Sequence, residues 1–272
     1  MTDQAEKATR FLALHHGERP LLMPNAWDQG SARLLASLGF QALATTSSGH
    51  AATLGRLDGS VTRDETLDHA ASLVQATSLP VSADLENAFA DDPDGVAETV
   101  RLAVGAGLAG CSVEDYTRRD DAPIYDAGLA AERVAAAAAA AHDGPVRLVL
   151  TARAEGYLHG RPDLSEIVAR LQAYQEAGAD VLFAPGLSSL EDIRQVVASV
   201  DRPVNVLALP GAPSVSELAS AGVGRVSVGG AFAFAALGTL VEAARELSEQ
   251  GTYTYWERAR TGATRARAAF GG

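Results

Sequence analysis

Two acids stand two residues apart in the stretch Leu79–Phe89, LPVSADLENAF. Val81, Ala83 and Leu85 alternate there with Ser82, Asp84 and Glu86, a period-two run that reads as a strand. On a strand Asp84 and Glu86 would share one face, where their charges repel unless a cation or a proton intervenes. Other polar groups stand at the ends of other apolar runs: Ser48-Gly49 with Asp58 beyond, Glu114, Arg153 with Glu155, and Asn205. Brought to one place, Asp58, Asp84, Glu86 and Glu114 cannot all stay ionised without a cation, and an all-oxygen set suits Mg²⁺ or Mn²⁺. Magnesium keeps several waters, so some of these acids would bind through water. Arg153 offers a fork for a substrate carboxylate or phosphate, and Ser48-Gly49 offers a hydroxyl and N–H groups for a developing oxyanion. Singly, each of these residues is more often structural than catalytic; their joint placement carries the functional reading.

That placement needs a frame, and four segments supply its grammar: Leu34–Thr46, Arg101–Asp115, Leu171–Pro185 and Glu217–Gly230. In each, a helical stretch stops at a glycine, which tolerates the left-handed conformation, and an apolar run of strand length follows. Helix starts are marked by Thr62/Glu65, Asp163/Glu166, Ser188/Glu191 and Ser214/Glu217, and by Asp92 ahead of Pro93. Strands are expected at Leu21–Met23, Ala42–Thr46, Val81–Leu85, Gly110–Glu114, Arg147–Arg153, Val181–Ala184, Val204–Leu207 and Arg225–Val228. Eight βα units predict an α/β fold, a (β/α)8 TIM-type barrel forming one domain over 1–272, with an additional C-terminal helix at Tyr253–Phe270. An open doubly wound sheet is the alternative, but no GxGxxG follows the first strand. In a barrel the polar residues named above lie at the C-terminal strand ends, where active sites are built.

Composition bounds the partners. The formal charge of −12 disfavours nucleic acid and anionic membranes, and an anionic substrate would need its own local cation. The single cysteine, Cys111, excludes an internal disulfide and fits a reducing compartment; inside a strand it reads as core. The N-terminus lacks a signal-peptide pattern, and no apolar run is long enough to span a bilayer, so a cytoplasmic protein is expected. The alanine run Ala135–Ala141 reads as an outer helix. Arg258, Arg260, Arg265 and Arg267 make a basic stripe, either a solvated face or a surface for an acidic neighbouring subunit.

The ordered motifs SSG, LGRLDG, ADLE, VED and TAR resemble the phosphoenolpyruvate mutase/isocitrate lyase superfamily from Pro24 to about Gly230. PNAWDQGSARL at Pro24–Leu34 is similar to that family's opening strand and helix. The resemblance implies a Mg²⁺-dependent barrel acting on 2-oxo or 2-hydroxy carboxylates through an enolate-like species. It makes Asp84 the acid nearest the metal, with Asp58, Glu86 and Glu114 its water-mediated ring. Arg153 becomes the substrate-binding arginine and Ser48-Gly49 the carboxylate-binding turn. It also implies a homo-oligomer, dimer or tetramer, with Tyr253–Phe270 packed on a neighbouring barrel.

Departures bear on the reaction. The family's DxDxGxG is Asp84-Leu85-Glu86-Asn87-Ala88-Phe89 here, with a longer acid and no glycines. Asp115–Gly128, expected to be a mobile lid, lacks the lyase branch's cysteine and the mutase branch's lysine and asparagine. Arg118, Arg119 and Tyr125 are the nearest substitutes, Tyr125 as a proton donor and Arg118 as a substrate contact. Asn205 supplies a second polar contact, and His50 and His159 are further acid/base candidates. C–C cleavage is the leading expectation. P–C chemistry of the mutase or phosphonopyruvate hydrolase type and a degenerate carboxylate-binding barrel are the alternatives.

Overall fold

A proline decides how the sheet closes. In the computed structural model, which describes residues 2–271, β1 (Leu21–Met23) and β2 (Asn25–Ala26) are one extended segment interrupted at Pro24, a residue with no N–H to give a ladder. β1 pairs in parallel with β9 (Arg225–Ser227), and β2 with β3 (Leu43–Thr45). Between them run β4 (Val81–Asp84), β5 (Gly110–Glu114), β6 (Val149–Arg153), β7 (Val181–Phe183) and β8 (Val204–Leu207), all parallel. The sheet order is β1-β9-β8-β7-β6-β5-β4-β3-β2, so its two ends are halves of one stave and it closes as the expected barrel.

The helices are α1 (Thr2–Leu14), α2 (Gln29–Ser37), α3 (Ser47–Thr53), α4 (Arg63–Ala76), α5 (Pro93–Gly105) and α6 (Ala127–His142). They continue as α7 (Leu164–Glu176), α8 (Leu190–Ser199), α9 (Val215–Ser220), α10 (Ala231–Arg245) and α11 (Trp256–Phe270). The glycine stops are real: Gly39, Gly107, Gly178 and Gly222 take φ of 89°, 86°, 105° and 82°. Thr62/Glu65 and Ser214/Glu217 form reciprocal capping boxes, while the start of α8 is capped by Ser189, one residue after the expected Ser188. The alanine-rich α6 packs against α5. α1, unanticipated by the sequence pattern, reaches the barrel floor: Phe11 is fully buried, and a Cβ on Gly110 would lie 2.7 Å from its ring. Among the described residues no helix is long and apolar enough to cross a membrane.

One expectation fails. β4 ends at Asp84, because Glu86, Ala88 and Phe89 take φ of 51°, 59° and 57° and turn the chain out of the strand. Asp84 and Glu86 therefore do not share a strand face. The C-terminal helix α11 lies along α2 of its own barrel. α10 touches the barrel at β2 but covers little of it, with only Ala233 buried.

Candidate active site

The C-terminal strand ends gather the expected acids around Arg153. Its Nη1 donates to Asp84 Oδ1 at 2.8 Å and its Nε to Glu155 Oε1 at 2.8 Å, while Nη2 lies 3.1 Å from Glu114 Oε2. Burial pushes the Glu114 and Glu155 carboxyls upward, against the opposing pull of Arg153. Arg153 itself is held well above its usual value: Glu155, Glu114 and Asp84 outweigh its burial. All three guanidinium nitrogens are thus engaged, and Arg153 is not the free fork the sequence suggested. The physical reason is charge density, since a guanidinium is the nearest cation able to relieve three converging carboxylates.

Glu86 sits beside this ring. It pairs with Arg118, which also stacks over Phe89 with Cζ 5.2 Å from the ring centroid. Burial and then Asp84 raise the Glu86 pKa to about 7, and its Oε1 is buried without a hydrogen-bond partner. Asp58 lines the cavity wall, its Oδ1 accepting from Gly59 N at 3.1 Å. Among the described residues no three acid, histidine or cysteine side chains are placed to hold one ion directly. A hydrated ion needs fewer direct ligands, and an orphaned acidic oxygen on a carboxyl repelled by Asp84 and Asp58 is what such a cation would relieve. The donor set fits a hydrated divalent metal.

A cavity of about 150 Å³ runs into the barrel between Asp84, Arg153, Ser48 and Asn205. A second, of about 480 Å³, lies over Glu86, Glu114 and Arg118, and the two share Asp58, Ser47 and Arg153. Ser48 faces the first, its Oγ 3.2 Å from Thr46 Oγ1. Gly49 does not serve as expected. Its N–H donates to the capping Thr46 Oγ1 at 3.3 Å, and a Cβ there would lie 2.6 Å from Thr46 Cγ2. Gly49 is glycine for packing. Asn205 lines the cavity as a strut, donating to Ser227 Oγ at 2.9 Å and accepting from Arg225 Nε at 2.9 Å.

Tyr125 is misplaced for proton donation. It is buried, lines neither cavity, and donates its hydroxyl to Asp91 beneath the Arg133 guanidinium, whose Cζ is 4.0 Å from the ring centroid. The segment expected as a lid is a hairpin, bridged between Tyr116 and Ile124 and tied down through Arg118 to Glu86. Of the two histidines, His159 lines the outer cavity, stacked on Tyr116 at 3.7 Å. His50 stacks instead on His69, and both its ring nitrogens are buried without partners. Cys111 is core as expected, its thiol pushed up to about 12 by burial.

With that geometry, similarity to known proteins becomes informative. The sequence profile described as phosphoenolpyruvate phosphomutase matches residues 11–248. The chain belongs to that family. Within the wider phosphoenolpyruvate mutase/isocitrate lyase superfamily, a structure of a putative lyase/mutase from Burkholderia cenocepacia J2315 is 52% identical. It covers 94% of this chain and 93% of its own, with a TM-score of 0.92. The 2-methylisocitrate lyase of Halalkalibacterium halodurans is 31% identical over 74% of this chain and 67% of its own. An oxaloacetate acetylhydrolase solved with the product oxalate is 26% identical, covering 92% and 88%, with a TM-score of 0.81. The chain is an enzyme of a superfamily whose named members include carbon–carbon lyases and mutases.

Proposed function

We propose that this enzyme cleaves a C–C bond in a small 2-oxo or 2-hydroxy carboxylate, leaving an enolate, with Mg²⁺ or Mn²⁺ at Asp84. The observation that carries the reading is Glu86 Oε1, buried and unpartnered on a carboxyl that desolvation and then the Asp84 and Asp58 charges push toward the neutral form. A bound divalent cation would supply Lewis acidity to the substrate's oxygens, a contribution of several kcal/mol. Asp84 would hold it directly, with Asp58, Glu86 and Glu114 bonding to its waters. Arg153 fixes Asp84 and Glu114 in place, and Ser48 offers its hydroxyl to the substrate. The Arg118 hairpin covers Glu86 and limits water there.

P–C chemistry is the second reading. A migrating phosphoryl group wants several free cationic donors, yet Arg118 and Arg119 are spent on Glu86 and Asp91. That favours C–C cleavage. The deciding experiment is an NMR screen of oxo- and hydroxy-acids with and without Mg²⁺, following carbon and phosphorus resonances. Release of pyruvate, glyoxylate or CO₂ supports the proposal; turnover of phosphonopyruvate alone reverses the order. No turnover of either class, with no Mg²⁺ or oxalate binding, would leave a degenerate barrel.

We also propose a homo-oligomer, dimer or tetramer, through α10 rather than α11. Phe232, Phe234, Leu237, Leu240 and Val241 are exposed along α10, an apolar face its own barrel does not cover. Leu240→Glu should convert the assembly to monomers by light scattering; a wild-type monomer at micromolar concentration would end the idea. The acidic surface and single buried cysteine suit a small-carboxylate enzyme of a reducing cytoplasm, without nucleic-acid or membrane partners.

A further inference from the structure

Barrel interiors are usually filled by Val, Ile and Leu, but the layer beneath the acidic mouth is polar here. Thr151 stands two residues before Arg153 on β6, and both point inward, so its layer lies about 7 Å deeper. In that layer Ser112 is paired in register with Thr151, and Arg225 with Asn205. Arg225 is 3% exposed. Its Nε donates to Asn205 Oδ1 at 2.9 Å, and its Nη1 to Thr151 Oγ1 at 3.1 Å and to His15 Nε2 at 3.2 Å. Burial lowers His15 to about 3, so the ring is neutral; Nδ1–H donates to Phe11 O and Nε2 is left to accept. Every partner of Arg225 is uncharged.

A buried guanidinium without a carboxylate is expensive, because its hydration is lost and nothing opposes its charge. Burial and then Arg153 lower its pKa to about 9, which still leaves it cationic at neutral pH. Arg225 lines the inner cavity, and among the described residues its side-chain hydrogen bonds run from Nε and Nη1, leaving Nη2 to the cavity. Ser82 and Ser112 line the same cavity. The other arginine on that wall, Arg153, is saturated by three acids.

We propose that Arg225 Nη2, with the Ser82 and Ser112 hydroxyls, is a deep subsite for a carboxylate of the substrate, selecting short dicarboxylates over monocarboxylates. The subsite supplies the charged Nη2–H donor and two hydroxyl donors, and the ligand supplies the missing negative charge. The interval of about 7 Å to the Arg153 layer suits a chain of a few carbons. Selection of a dicarboxylate rests on the reading that the reaction takes place at the mouth above. The binding of an anion at Arg225 does not depend on it.

Calorimetry in EDTA with butyrate and its neutral analogue butyramide separates the subsite from any metal. The wild type should bind butyrate about tenfold or more tightly than butyramide, the worth of a charge-assisted contact. Arg225→Gln should abolish the preference without weakening butyramide, and Ser112→Ala should reduce it several-fold. Folded Arg225→Gln that keeps the preference overturns the proposal, as does a wild type with none. If Arg225→Gln does not fold, the Arg225 Nε–H resonance of the wild type decides. It must move with butyrate and not with butyramide, and an unmoved signal overturns the subsite. With Mg²⁺ added, succinate should bind more tightly than butyrate; an unchanged ratio overturns the selection of dicarboxylates but not the anion subsite, so the two readings fail independently.

Discussion

Arg133 gives the sharpest test of how the acidic loop is held. Its side chain, 1% exposed, donates from Nη1 to Ala90 O and Asp91 O and from Nη2 to Asn87 O. The loop it grips contains Ala88 and Phe89 and follows Glu86, all left-handed and none a glycine. Each such residue costs roughly 1–2 kcal/mol, so the turn does not hold itself. In Arg133→Met three carbonyls lose a charged donor. At roughly 1.5–3 kcal/mol each the gross loss is about 5–9 kcal/mol. Removing a buried cation returns several kcal/mol of desolvation, which brings the expected net loss to about 3 kcal/mol. Arg133→Lys keeps the charge but not the fork, and should fall between the two. Urea unfolding monitored by two probes measures the loss, and limited proteolysis around 87–91 asks whether the loop has opened. Arg133→Met within about 1 kcal/mol of the wild type, with an uncut loop, would refute the clamp.

Glu86→Gln tests linkage. The raised native pKa, about 7 against an ordinary 4.5, means the folded state binds more protons than the unfolded one in that window. Its contribution to stability is present below pH 4.5 and lost as pH rises through 7, up to about 3 kcal/mol. The stability of Glu86→Gln relative to the wild type should therefore grow between those values in metal-free buffer; a flat difference contradicts the assignment. Asp115→Asn should cost about 3 kcal/mol in urea unfolding. Its carboxylate accepts from Glu155 N, Tyr174 Oη and Arg170 Nη1 at 2.8, 2.6 and 3.2 Å. Asp84→Ala should abolish Mg²⁺ binding by calorimetry with the fold intact; wild-type affinity would remove Asp84 from the metal. Cys111 should resist thiol reagents until the protein unfolds, and rapid native labelling would contradict its burial.

The barrel was legible because its punctuation is chemical. Glycines at Gly39, Gly107, Gly178 and Gly222 stop helices by taking positive φ, and the apolar runs behind them have nowhere to go but a buried parallel sheet. The end of β4 was not legible, because Ala88 and Phe89 give no glycine signal for a left-handed turn that Arg133 enforces from a distant helix. The converging acids were readable as a group that needs a cation. That Arg153 and Arg118 already occupy them depends on side-chain reach across strands, which spacing does not encode. Tyr125 failed for a similar reason: its Asp91 and Arg133 partners lie in other segments. Arg225 did leave a trace. In RVSVGG the polar Arg225 and Ser227 alternate with valines, a polar-inward strand easily taken for a wholly apolar one.

The break at Pro24 sets the order in which the molecule can be made. β2 finds β3 nearby, with Asn25 Nδ2 reaching Thr45 O across 20 residues. The other side of the stave must wait, since Asn25 Oδ1 accepts from Val228 N across 203 residues. Closing the longer loop costs about 2 kcal/mol more in chain entropy, by the logarithm of the tenfold ratio. During synthesis the emerging chain is therefore an unclosed ribbon whose first strand offers one edge to solvent until the last strand leaves the ribosome. Truncation before Arg225 would leave that edge exposed in every copy, and self-association through it is the fate to expect of nascent or clipped chains.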